Sequence, residues 1–460
     1  MIKVKLLFLT ALCTITLVSC NFFFEIVQKP LKKGNFYAQN MITSEYYEVD
    51  AKMLYEGEKC VIWAEKSAGV TEKMAKEIAL EYDTKIRPKV IENFSRKDFT
   101  VEDKYFDDML DYANRLAGSD DNKLTVLLLD IIDEYPETDS YVAGYFNGGN
   151  FYNNAYYSNR RDMIYIDTYP GLKLQPRQTY ATFAHELQHL INFVTRIWMY
   201  KGKYIPMDTW IDEGLSSQAE YLYLEQHSPE RCKWFVEDRK GTIAQGNNFF
   251  VWDNHSEIPS AILDDYATVY LFFRWLYLQA ANEGLESNLF LDIETSIFDD
   301  YKAVTNVAQL INPEWGDWET LLGTWLAANY YPKNIYGYTG DDYLQRIIKV
   351  KPITEQTISL YPGEGVYSFI DDYFDPETNG NIRYAGLAEN ETGIGTSPPY
   401  TGNVLLTFNA NADHTAKTET AVLTGVPVPA SQITARSIQT ETLTGPYVID
   451  ARDMLKRSKR

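Results

Sequence analysis

Cysteine and histidine are scarce in this chain, which has four of the first and five of the second among 460 residues. So few cysteines exclude a small fold held together by a dense network of disulfides. Beyond the N-terminus no stretch approaches the roughly 18 uninterrupted apolar residues of a membrane-spanning helix, so we do not expect the body of the chain to cross a bilayer. Positive charge is also low, with 43 Lys and Arg against 64 Asp and Glu. The net charge of −21 would repel a phosphate backbone, which argues against nucleic-acid binding.

The residues that are present have the balance of a globular protein, with 45% hydrophobic and 23% charged side chains. A length of 460 residues exceeds one ordinary hydrophobic core, so two or three domains are expected. Changes of pattern along the chain predict, in order, a removable signal, a tether, an α+β part, a helical part and a β-rich C-terminal module. These segments are predicted at 1–19, 20–40, 41–200, 201–350 and 351–460.

The N-terminus has the features of a bacterial lipoprotein signal. Two early lysines precede an apolar run from Leu6 to Val18, which is too short to span a membrane. The run ends in the sequence LVSC, which resembles a lipobox and predicts cleavage before Cys20 and lipidation of its thiol. Two or more acyl chains would hold the protein on the extracytoplasmic side of the cell membrane or outer membrane; ordinary secretion is the alternative. Cys60 and Cys232 could then pair as a disulfide, which the sequence leaves open.

Apolar runs in the α+β part predict strands, and a change of period then predicts helices. The aliphatic run Leu124–Ile132 is typical of a buried strand. From Gln178 to about Trp198 the apolar residues recur at helical spacing. Further strands are predicted within Tyr46–Glu65, at Tyr141–Phe146 and at Met163–Asp167, and further helices at Thr71–Phe94, Val101–Leu116, Ile211–Gln226, Ser260–Glu283 and Trp318–Tyr331.

The chemistry is concentrated in the segment His185-Glu186-Leu187-Gln188-His189. Histidines four residues apart lie on the same face of a helix, so both imidazoles can bind one metal ion. Glu186 follows the first histidine directly, where its carboxylate can take a proton from a water molecule at the metal. The motif therefore predicts two metal ligands and a general base.

A second informative segment is TWIDEGLSSQAEY, from Thr209 to Tyr221. It resembles the second zinc-binding helix of the gluzincin peptidases, in which a glutamate is the third ligand. By this resemblance Glu213 joins the two histidines, and the set leaves a fourth position for water, as in catalytic zinc sites. Glu220 is on the same helix face seven residues later and is the alternative ligand. Two imidazoles among three ligands disfavour a hard metal such as magnesium.

The segments AHELQHLINF, DEGLSSQAE and YVAGYF…SNRRDMIYID together resemble the hyicolysin family of bacterial metallopeptidases. The resemblance covers about residues 124–275. It implies an α+β catalytic unit of gluzincin or thermolysin type, one zinc ion, Glu213 as third ligand and Glu186 as general base. The gluzincin pattern also includes a tyrosine that holds the oxyanion. Tyr266 is preferred for this role over Tyr270, one helical turn later.

The expected function is that of a zinc endopeptidase acting on extracytoplasmic proteins or peptides. The Gly-x-Met-Glu-Asn segment of aminopeptidases is lacking, which argues against removal of single N-terminal residues. The membrane is expected to be contacted only through the lipid, and the oligomeric state is left open. Two alternatives are an inactive lipoprotein of metallopeptidase fold that serves binding or adhesion, and a hydrolase of non-peptide substrates. Among the other histidines, His227 and His255 are expected in turns or at the surface, with His255 as the candidate to approach the site, and His414 lies in the predicted β-rich module.

Overall fold

A computed structural model describes most of the chain between residues 33 and 423, in two compact units. One unit runs to Tyr204 and the other begins at Ile205. The predicted helix at Val101–Leu116 lies outside the described residues, as do Cys20, His255 and His414. The described ranges are 33–95, 123–137, 141–151, 156–200, 204–236, 249–250, 262–355, 357–370, 374–376, 380–388, 394–396, 404–413 and 418–423.

The first unit is a six-stranded mixed sheet with helices packed against it, in agreement with the predicted α+β class. The strand order is β1-β2-β3-β4-β6-β5, in which β3, β4 and β6 are parallel and the other pairs are antiparallel. Its elements are β1 Asn35–Gln39, β2 Tyr46–Glu56, β3 Cys60–Glu65, α1 Glu72–Glu81, α2 Arg87–Phe94, β4 Leu124–Leu129, β5 Gly144–Phe146, β6 Met163–Asp167 and α3 Pro176–Met199.

Side chains join the two edges of this sheet, which is curled. The hydroxyl of Tyr145 on β5 accepts a hydrogen bond of 3.1 Å from the backbone N–H of Gln39 on β1. The hydroxyl of Tyr165 on β6 donates at 3.0 Å to the carbonyl of Tyr37, also on β1. All six residues of β4, in the middle of the order, are buried, which confirms the strand predicted from the aliphatic run.

Three segments of the first unit differ from the expectation. Residues 35–39, which were predicted to belong to the tether, form β1 with its three central residues buried. The strand predicted from Tyr141 begins only at Gly144, because the N–H of Val142 donates to Asp133 Oδ2 instead of to a strand. The helix predicted to run from Thr71 to Phe94 is divided by a π turn at Tyr82–Ile86. Pro88, which follows this turn, has no N–H to give to the preceding turn of an α-helix.

Helix α3 packs against β5 and β6, and a glycine makes this close approach possible. A Cβ atom at Gly144 would lie 2.8 Å from Thr182 Cγ2 of the helix. Pro176 stands in the first turn of α3, where its fixed φ favours the helix and its missing N–H has no helical partner to lose. The helix predicted from Gln178 to Trp198 is confirmed and is slightly longer than expected.

The second unit is helical up to about residue 350, and its described strands follow after that point. The strands form a four-stranded antiparallel sheet in the order β10-β9-β11-β8 and a separate pair, β12-β7. Among the described residues no helix has both the length and the apolar character needed to cross a bilayer. The elements are α4 Thr209–Leu224, α5 Pro229–Val236, α6 Ile262–Asn282, α7 Leu289–Glu294, α8 Tyr301–Ile311, α9 Trp318–Tyr330, α10 Asp342–Ile347, β7 Thr357–Leu360, β8 Gly365–Phe369, β9 Ile382–Leu387, β10 Ile394–Thr396, β11 Val404–Asn409 and β12 Glu419–Val422.

Aromatic rings make much of the core of the second unit. Trp210 on α4 is 1% exposed, and several rings from α6, α9 and residues 249–250 surround it. Their centroids lie 5.4 to 5.9 Å from that of Trp210, distances at which edge-to-face and tilted ring pairs are favourable. These rings are Phe249, Phe250, Phe272, Phe273 and Trp318.

The two described cysteines do not form a disulfide. Cys60 on β3 and Cys232 on α5 are buried free thiols. Burial is the largest cause that raises the pKa of each thiol well above its usual value, so neither is a reactive thiolate at neutral pH.

Close packing of α4 on α6 provides a test of the fold. A Cβ atom at Gly214 would overlap the ring of Phe273, so we expect Gly214→Ala to reduce the free energy of unfolding by about 1–3 kcal/mol through overpacking. Gly323→Ala on α9 is the matched control. Its Cβ would lie 3.3 Å from Phe408 Cζ, a looser contact than the overlap at Gly214, and alanine favours the helix by about 1 kcal/mol. This variant should therefore lose less stability. Urea unfolding of both variants measures the difference. Equal losses would contradict the proposed close contact.

Candidate metal centre

Helix α3 presents the two histidines of the sequence motif from one face. His185 and Glu186 are buried, with 2% and 4% of their surfaces exposed, and His189 is half-buried. The Nε2 atoms of the two imidazoles are 2.9 Å apart. This agrees with the helical spacing of four residues, which stacks one side chain above the other. Buried Leu187 and Leu190 anchor other faces of the helix.

Glu213 lies near the beginning of α4 and is contacted by a tyrosine from α6. The hydroxyl of Tyr266 donates a hydrogen bond of 3.3 Å to Glu213 Oε1. Both side chains are half-buried. The structure thus brings together the predicted acidic ligand and the preferred oxyanion tyrosine.

His185, His189 and Glu213 form a triad of potential ligands. Each offers one donor atom, and the three atoms lie within 4.8 Å of one another. Two imidazole nitrogens and one carboxylate oxygen are a donor set typical of zinc, whose bonds to them measure about 2.0–2.2 Å. Two nitrogens 2.9 Å apart can both reach an ion at that distance. The residues present therefore fit a zinc ion.

The alternative ligand, Glu220, has a different partner. Its Oε1 accepts a hydrogen bond of 2.8 Å from Arg231 on α5. The Arg231 side chain is only 1% exposed, so this is a buried ion pair rather than a surface one. In the triad the acid is Glu213, two helical turns before Glu220.

Tyr266 and Tyr270 on α6 have different surroundings. Tyr270 is 1% exposed, and its hydroxyl is 2.8 Å from His227 Nδ1 instead of near Glu213. Three contacts of polar groups join α4 to α6. These contacts are Tyr266 with Glu213 at 3.3 Å, the Tyr270 carbonyl with Gln218 Nε2 at 3.0 Å, and the Arg274 guanidinium over the Tyr221 ring at 3.9 Å.

His227 belongs to a buried polar chain that sequence reasoning missed. Its Nε2 atom is 2.7 Å from Asp341 Oδ2, and the two side chains are 10% and 7% exposed. The partners of His227 are 43 and 114 residues away in the sequence. No local spacing signals such a contact, and so the histidine was expected in a turn or at the surface.

Asp341 is held in its ionised form by its hydrogen bonds and by the charges around it. Burial alone would raise its pKa, but the hydrogen bonds from His227 and the Leu344 N–H, with the charges of His227 and Arg274, outweigh burial. The net effect lowers the pKa of Asp341 below its usual 3.8. A carboxylate with a lowered pKa stabilises the fold at pH values above its unfolded pKa, and this stabilisation is lost as the pH falls through the folded pKa.

Comparison with known proteins gives one informative similarity. The chain is 30% identical over 253 residues to the neutral metalloprotease ShpI of Staphylococcus hyicus. This supports a relationship to metallopeptidases. The matched region is 54% of this chain and 52% of that protein, so the chain matches about half the length of its relative. No family model matches the sequence. The α+β architecture described above is compatible with a metalloprotease fold.

The lowered pKa of Asp341 predicts how stability depends on pH. We expect Asp341→Asn to reduce the free energy of unfolding near pH 7 by about 2 kcal/mol, because hydrogen bonds to a charged group are lost. The deficit should shrink as the pH falls below 4, where wild-type Asp341 becomes protonated too. Urea titrations from pH 7 to pH 3 measure it, with the exposed neighbour Asp342→Asn as control. A deficit that is constant over this range would contradict the assignment.

Proposed function

We propose that this protein is a zinc-dependent endopeptidase of gluzincin type. The observation that carries the proposal is the triad of His185, His189 and Glu213, whose donor atoms lie within 4.8 Å of one another. The two segments of the triad are those in which the sequence resembles the hyicolysin family. The similarity to a neutral metalloprotease supports protein or peptide substrates for this chain as well.

The side chains have distinct roles in the proposed reaction. His185, His189 and Glu213 hold the zinc ion through two nitrogens and one oxygen. When bound, zinc supplies Lewis acidity toward the scissile carbonyl and toward a water molecule. Glu186 accepts the proton of the attacking water and passes it to the leaving amine, so that proton transfer is balanced over the reaction. Glu186 is buried and directly follows His185 on α3.

Tyr266 is the proposed donor to the oxyanion. Its hydroxyl donates to Glu213 Oε1 in this structure, which places a phenolic proton beside one ligand of the triad. A donor at this position can turn to the carbonyl oxygen as negative charge develops there. Tyr270 is unsuited to this role because its hydroxyl is buried against His227.

The lipid anchor and the extracytoplasmic location belong to the same proposal. The positive N-terminus, the short apolar run and the sequence LVSC support lipidation at Cys20. A protein fixed outside the cytoplasmic membrane meets secreted and envelope proteins, which suits an endopeptidase. The acidic surface, with a net charge of −21, favours solubility of the anchored body.

Removal of the general base tests the mechanism. We expect Glu186→Gln to lower kcat for casein or a peptide by roughly 10³-fold or more, since amide cannot accept the proton of water. Zinc content should stay at one ion per chain, because Glu186 is not a ligand. Glu77→Gln, at an exposed position of α1, is the control and should retain full activity. Peptidase activity that survives in Glu186→Gln would reject the mechanism.

Substitution of the two acids on α4 tests the ligand set. Glu213→Ala should lose bound zinc and activity, because one of three ligands is removed. Glu220→Ala should keep its zinc while losing stability, because it leaves Arg231 buried without its carboxylate. Metal analysis after dialysis, with calorimetry of both variants, measures the two effects. Loss of zinc in Glu220→Ala but not in Glu213→Ala would show that Glu220, and not Glu213, is the ligand.

Cell fractionation tests the anchor. Cys20→Ser should move the full-length protein from the membrane to the soluble fraction. Its intact mass should lack the contribution of the acyl chains. Cys13→Ser, within the predicted signal, is the matched control and should remain anchored. A wild-type protein that is soluble and unacylated would support ordinary secretion instead.

A further inference from the structure

A buried chain of side chains joins α6 to the segment before α10, and it bears on the position of Tyr266. The chain runs from Asp341 through His227 to Tyr270, with contacts of 2.7 and 2.8 Å. The carboxylate of Asp341 can only accept, so His227 donates from Nε2. When His227 is neutral, its Nδ1 accepts the proton of the Tyr270 hydroxyl. Burial raises the pKa of that phenol well above its usual value, which keeps it a donor.

Two arginines balance the charge of the acids around this chain. Arg274 Nε is 3.7 Å from Asp341 Oδ2, and its guanidinium stacks over Tyr221 of α4. Arg231 of α5 pairs with Glu220 of α4, and its guanidinium lies 5.4 Å from the centre of the Tyr270 ring. The cluster therefore ties α4, α5, α6 and the start of α10 together in a largely buried, charge-matched network.

Helix geometry connects this network to the proposed active site. Tyr270 is four residues after Tyr266 on α6, so the two side chains project from the same face, one turn apart. Gln218 of α4 donates to the carbonyl of Tyr270, five residues after Glu213. An axial shift of α6 at Tyr270 would move Tyr266 relative to Glu213 by the same amount.

We propose that Tyr270 and His227 are positioning residues, which hold α6 in the register that places Tyr266 beside Glu213. The inference rests on the proposed peptidase function. Neither residue is proposed to contact the substrate, because Tyr270 is buried and its hydroxyl faces His227. Their effect on the reaction passes through Tyr266.

A double-mutant cycle separates positioning from a general loss of stability. Tyr270→Phe removes one hydroxyl and keeps the ring over Arg231. We expect about a tenfold lower kcat on a peptide substrate with KM changed less than about twofold, since small displacements of a catalytic group are costly. In a Tyr266→Phe background, adding Tyr270→Phe should change kcat by less than about twofold, because the residue through which it acts is gone.

Tyr367→Phe is the matched control for the loss of a buried hydroxyl. Tyr367 on β8 is 5% exposed and donates to the carbonyl of Leu326 on α9 at 2.7 Å. It should lower thermal stability to a similar degree as Tyr270→Phe and leave kcat unchanged. Additive effects of Tyr266→Phe and Tyr270→Phe on kcat, or an equal loss of kcat in Tyr367→Phe, would overturn the proposal.

Hydrogen exchange gives a second measurement that needs no activity. Amide exchange over residues 262–270 of the full chain should be faster in Tyr270→Phe and His227→Ala than in wild type. His227→Asn should restore protection, because its side-chain oxygen can take the place of Nδ1 as acceptor for Tyr270. Tyr367→Phe should leave this segment unchanged. If wild type cleaves no peptide, the peptidase proposal fails, and unchanged exchange in Tyr270→Phe would separately overturn the positioning role.

Discussion

The pairing of α4 with α6 is the constraint on which the proposed chemistry depends. Glu213 and Tyr266 are 53 residues apart in the sequence, so only the register of two long helices can bring them to 3.3 Å. Gly214 has no side chain to separate the helices, and the ring of Phe273 occupies that space. A single glycine beside Glu213 therefore allows the helices to approach closely enough for Tyr266 to reach its carboxylate.

Polar contacts supply the specificity that this apolar packing lacks. A buried hydrogen bond contributes about 0.5–1.5 kcal/mol and depends on direction, so it favours one register of the two helices over others. The contacts of Gln218 with Tyr270 and of Arg274 with Tyr221 occur at successive turns. One register satisfies them together, and an axial slip would break several at once.

The features that could be predicted from the sequence were those with a local pattern of their own. The buried strand β4 and helix α3 were predicted because each has a continuous apolar pattern of its own. The histidines of α3 were predicted as a pair because their spacing is a property of one helix. The strand β1 was missed because five residues beside a basic segment resemble a tether, and its burial depends on β2 and on distant Tyr145 and Tyr165. His227 was missed for the same reason, since its partners come from α6 and from the start of α10.

The state of the cysteines has a practical consequence. Cys60 and Cys232 are buried and unlinked, so the described parts of both units are held by packing and hydrogen bonds rather than by a covalent bridge. An oxidising compartment is then not needed to form these parts, and a soluble version of the body is expected to fold in a reducing cytoplasm. Reducing agents that do not bind zinc can be present throughout purification without loosening either unit.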